Sequence, residues 1–108
     1  MGGMTIPNHI YEKIKKADDK LNKIQGWESN DILSAVEKLL TFGQVEVGYR
    51  SQRGSTHKSQ KVYREFSKII KMLISDGFDV TDDIVKHNNA YATNNGGFWN
   101  STIFKLKK

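Results

Sequence analysis

The residues of this chain best suited to chemistry are cations, and they are gathered in one place. Between Arg50 and Lys71 stand Arg50, Arg53, Lys58, Lys61, Arg64, Lys68 and Lys71, with Glu65 the single acid, so the window carries a formal charge of +6. The whole chain is +5 at pH 7, which leaves the remaining residues at -1. The surplus is therefore local. Cations grouped in this way suit a polyanion, because each Lys or Arg that neutralises a phosphate releases condensed counterions, and the planar fork of arginine matches phosphates and base edges. The plainer meaning of lysines on a helix is a wet, soluble face, but such a face ordinarily mixes both signs. This one hardly does.

Helical spacing sharpens the pattern. At about 100° per residue, His57, Lys58, Lys61, Arg64, Lys68 and Lys71 fall within about 140° of arc, centred nearly opposite Val62, Phe66, Ile69, Ile70 and Leu73. A rise of about 1.5 Å per residue stretches the basic stripe over roughly 20 Å, with Arg50 and Arg53 near its start. The sequence thus predicts a phosphate-contacting ridge made of Arg50, Arg53, His57, Lys58, Lys61, Arg64, Lys68 and Lys71. Phe98 and Trp99 lie on opposite faces of a predicted strand, and the exposed one of the two is a candidate to stack on an unpaired base or to anchor a protein partner. Trp27, between two predicted helices, is expected to plug the core.

Other chemistry is weakly supported. His9, His57 and His87 are scattered and lack the paired spacing of a zinc site. Asp76, Asp79, Asp82 and Asp83 form an acidic knot with the elements of a magnesium site, yet it lacks the calcium-loop pattern and is expected to be a solvated turn without metal. A metal-free ribonuclease would use His57 or His87 as general base, with Arg50 or Lys58 stabilising the phosphorane. There is no glycine-rich phosphate loop, serine elbow or paired catalytic carboxylate. The expectation is a protein that is not an enzyme and needs no cofactor.

The elements that must position the ridge follow from periodicity. At 108 residues, 37% of them hydrophobic and 27% charged, the chain supplies one modest core. Residues 1–7 are expected to be a loose lead-in or cloning remnant, and 8–108 a single α+β domain. No apolar run approaches the roughly 20 residues of a membrane span, and the absence of cysteine fits a reducing compartment; a cytoplasmic location without membrane contact is expected. Ile10, Ile14, Ala17, Leu21 and Ile24 mark a first helix started by Pro7 and stopped by Gly26. Ile32, Leu33, Val36, Leu39 and Leu40 mark a second, capped by Ser29, Asn30 or Asp31 and ended by Gly43. Val45, Val47 and Tyr49 alternate with polar residues as a strand. Ser55 or Thr56 caps the third helix, which runs to about Asp76 with Gly77 as its stop. Asn94 to Gly97 supplies a hairpin turn between a strand around Ile84 to Thr93 and a closing strand from Phe98 to Leu106. The predicted fold is three helices packed with a small antiparallel sheet that includes a C-terminal β-hairpin.

Helices followed by a two-stranded wing around Asn94 to Gly97 resemble a winged-helix DNA-binding domain, which implies a last helix in the major groove and a hairpin on the backbone. That family sets a further short helix before the recognition helix, and the space between Arg50 and His57 is too short for one. Phe42, Gly43, Val45, Val47, Arg50 and Arg53 are similar in spacing to the strand and arm of bacterial histone-like proteins, over about a tenth of the chain. The proline-tipped arm is missing and a long helix replaces the expected strands, so the chain is assigned to neither family. The expected function is non-catalytic binding of DNA or RNA through phosphates. The alternative is a small interaction protein that docks on an acidic groove and modulates or inhibits a larger nucleic-acid-handling enzyme, as mobile-element antagonists of host defence do. A small nuclease stands third.

Overall fold

A computed structural model describes residues 6–26, 28–51, 58–86 and 98–107. The elements are α1 (Asn8–Gln25), α2 (Asp31–Phe42), β1 (Gln44–Ser51), α3 (Lys58–Ser75), β2 (Asp79–Lys86) and β3 (Phe98–Lys107). This is an α+β arrangement of three helices and one three-stranded antiparallel sheet. Among the described residues no helix is long and apolar enough to cross a membrane.

Local chemistry sets the helix ends. Pro7 has no N–H to satisfy and its carbonyl accepts from Ile10 and Tyr11 at 3.0 and 2.9 Å, starting α1. Gly26 and Gly43, both at φ 82°, stop α1 and α2 in the left-handed conformation that glycine adopts without a Cβ clash. Beyond α3, Gly77 at φ 99° donates to Ile74 and Phe78 donates to Leu73, each at 3.0 Å. That pair of bonds is the Schellman ending, and Phe78 packs against the core as the motif requires.

The start of α2 is made differently. Asn30 occupies the cap position without a side-chain bond. Instead Asp18, in the middle of α1 and only 4% exposed, accepts the N–H groups of Ile32 and Leu33 at 2.9 and 3.1 Å. The first helix thereby caps the second, satisfying donors that a helix N-terminus leaves open.

β3 is the central strand, flanked by β1 and β2 in the order β1-β3-β2. Val47 lies opposite Thr102 and Val80 opposite Leu106, and this side of the sheet meets the helices. Ile10, Ile14, Ala17, Leu21, Ile32, Val36, Leu39 and Leu40 join Phe66, Ile69, Ile70, Leu73, Val47, Val80, Phe104 and Leu106 in one core. Ile6 also packs on it.

Two expectations need correction. The partner of the closing strand starts at Asp79, several residues before Ile84, because Val80 takes an inward register position that its acidic neighbours disguise in the sequence. Ile24, on the apolar spacing of α1, is 50% exposed. Near the end of α1, it borders an open groove beside α3 instead of joining the core. The expected turn at Asn94 to Gly97, the caps at Ser55 or Thr56 and the plug at Trp27 lie outside the described residues.

Candidate nucleic-acid interface

The third helix is divided as its spacing predicts. Phe66, Ile69, Ile70 and Leu73 are buried and Val62 is partly so, while Arg64, Lys68 and Lys71 are exposed and Lys61 is half-buried. Burial of one apolar face fixes the helix rotation, and the rotation aims the opposite face at solvent. Lys58 is the first residue of α3, and Arg50 lies in β1 paired with Trp99 of β3. Phe98 pairs with Ser51. Arg53 and His57 lie outside the described residues, as does His87.

A groove of about 240 Å³ runs between α3 and α1, lined by Lys20, Ile24, Lys61, Arg64, Glu65 and Lys68. Lys20 was not among the residues singled out by the sequence. It sits in a helix that carries charges of both signs, so only the packing of α1 on α3 brings it to the ridge. Its position next to buried Leu21 was the available signal.

Glu65 is the local counterweight. Its carboxylate accepts from Lys68 Nζ at 3.0 Å, with the lysine side chain 62% exposed and the acid 16% exposed. With its lysine largely in solvent, the pair holds that cation weakly, by about 1 kcal/mol or less. Lys20, Lys61, Arg64 and Lys71 form no ion pair with any carboxylate among the described residues. Three cations from two helices thus face one groove uncompensated, and a fourth is held by an exchangeable partner.

On the other flank of α3, Tyr49, Gln60, Tyr63, Arg64 and Ser67 line an open hollow of about 360 Å³. Arg64 borders both depressions. It stands at the crest.

The acidic knot is broken up by the fold. Asp76 accepts from His9 Nε2 at 3.1 Å, and Asp83 pairs with Lys105 at 3.4 Å. Asp79 and Asp83 alternate with Asp82 along β2, so the strand sends them to different sides. Among the described residues no three of His, Cys, Asp or Glu come together in a group able to hold a metal.

Compared with family models, with curated proteins and with solved structures, the chain has no match.

Proposed function

We propose that this protein binds nucleic acid without catalysis, through the phosphates, along the ridge of α3 and the groove that α1 forms beside it. The observation that carries the reading is the convergence of Lys20, Lys61 and Arg64 on one groove with no carboxylate partner among the described residues. Unpaired cations on neighbouring rigid helices create a field that attracts a polyanion, and they need no rearrangement to meet it. Lys58, Lys68 and Lys71 extend the ridge along α3, and Arg50, Arg53 and His57 are assigned to its beginning. Affinity comes from the backbone, and base reading is confined to the arginines.

Electrophoretic shifts at low salt against duplex DNA, single-stranded DNA and RNA test this. The paired change Lys61→Glu and Arg64→Glu should abolish retention while leaving the melting transition intact. Retention that survives the double change refutes the site.

One observation favours a second reading. Ile24, half exposed, lies beside the cations, and an acidic groove of a protein partner with an apolar patch would engage both. The protein would then modulate or inhibit a larger enzyme by filling its acidic groove. Pull-downs with and without nuclease treatment separate the two, because a protein partner persists after digestion and a nucleic-acid partner is lost.

A further inference from the structure

The hollow on the sheet side of Arg64 has an aromatic wall built outward from the core. Buried Phe66 meets Phe104 edge to face with ring centroids 5.0 Å apart, Phe104 meets Tyr63 at 6.3 Å, and Tyr63 meets Tyr49 at 4.5 Å. The hydroxyl of Tyr63 shares a hydrogen bond of 2.8 Å with Thr102, itself only 1% exposed. That bond anchors Tyr63, and Tyr63 in turn backs Tyr49. The outermost ring is half-buried and lines the open hollow together with Arg64.

We infer that this hollow receives one unpaired nucleobase of a single-stranded nucleic acid, stacked on Tyr49, while the strand crosses Arg64 toward Lys20 and Lys61. The inference rests on the phosphate-binding reading above. Aromatic faces accept any base, because every base has a π-face, and an adjacent cation neutralises the phosphate that the base carries with it. Bases inside a duplex are already stacked on one another and have no face to offer. A platform held by packing and by a part-buried hydrogen bond loses little conformational entropy when occupied. Arg64 couples the two halves of the site, since it borders both the aromatic hollow and the basic groove.

The test is fluorescence anisotropy at low salt with labelled oligothymidylate and oligouridylate of roughly 12 nucleotides, a length within the usual site size of a single-strand binder, and with a duplex of equal length. Tyr49→Leu removes the π-face and keeps apolar bulk against Tyr63. It should weaken binding of both single strands about tenfold and leave the duplex within about twofold, while Tyr49→Phe binds all three as the wild type does. Unchanged single-strand affinity in Tyr49→Leu, or an equal loss for single strand and duplex, overturns the inference. Should Tyr49→Leu fail to fold, Tyr49→Trp gives the reading: its larger face should hold single strands at least as tightly, and weaker binding overturns the inference. The ridge is read separately, from duplex retention by the wild type and its loss with Lys61→Glu and Arg64→Glu. If that difference stands and the Tyr49 variants change nothing, only the stacking inference falls; if the wild type retains no nucleic acid of any form, both fall.

Discussion

Asp18 and Ile32 lie 14 residues apart in sequence, and the carboxylate of the first accepts the backbone N–H of the second at 2.9 Å. With the parallel bond from Leu33 at 3.1 Å, this contact replaces the local cap that Asn30 does not supply. It also fixes α1 to the start of α2, and α1 in turn forms one wall of the basic groove. Replacing Asp18 by Ala should lower the free energy of unfolding by about 1–3 kcal/mol, the cost of opening one buried and one partly buried donor. Asp18→Asn should fall between, since an amide has one oxygen to offer. Urea denaturation measures both, and a loss within a few tenths of a kcal/mol for Ala would show that the contact holds nothing.

The same carboxyl has a pH signature. Burial pushes the Asp18 pKa above the usual aspartate value, with Asp31 and Asp19 adding repulsion, against the lowering effect of the bonds from Ile32 and Leu33. The folded protein therefore holds this proton more tightly than the unfolded chain does. Between the ordinary and the raised value the folded state binds more protons, so the contribution of Asp18 to stability falls as pH rises through that interval and is level above it. The stability difference between wild type and Asp18→Asn, measured by urea from about pH 3.5 to 7, should shift against the wild type with rising pH. A difference that moves in its favour would contradict the assignment.

Tyr63 ties the sheet to α3 by a polar contact inside an apolar layer. Tyr63→Phe should cost about 1 kcal/mol or somewhat more, because the hydroxyl of Thr102 loses its partner where water does not reach. Adding Thr102→Val should cost less than the two single changes imply, since both members of the pair are then gone. Strict additivity in this double-mutant cycle would mean that the two groups do not interact.

Glu65 should act as a brake on polyanion binding. Glu65→Gln releases Lys68 from its 3.0 Å partner and removes the only acid in the basic window. Affinity for nucleic acid at low salt should rise, and the slope of log affinity against log salt should steepen by about 1. Unaltered affinity and slope would show that Lys68 lies off the path of the phosphates.

Much of the fold is legible because its signals are local. Pro7, Gly26, Gly43 and Gly77 delimit the helices through constraints on their own backbones, and Phe66, Ile69, Ile70 and Leu73 identify the buried face of α3 at one-turn spacing. β2 is less legible, since Asp79, Asp82 and Asp83 dilute the alternation around Val80 and mimic a turn. Ile24 continues a valid apolar period onto a side where the groove between α1 and α3 stays open. Periodicity records which face is apolar; it does not record how far the cover extends.

For the candidate site, the sequence by itself determined that positive charge is concentrated between Arg50 and Lys71 and that α3 turns Arg64, Lys68 and Lys71 away from its core, since composition and helical pitch are properties of a single segment. Tertiary structure alone decided that Lys20 joins them from α1, that Asp18 caps α2, and that Arg64 separates a basic groove from an aromatic hollow. These are relations between side chains set by the packing of one element on another, and no spacing within a segment encodes the distance between two faces brought together by a shared core.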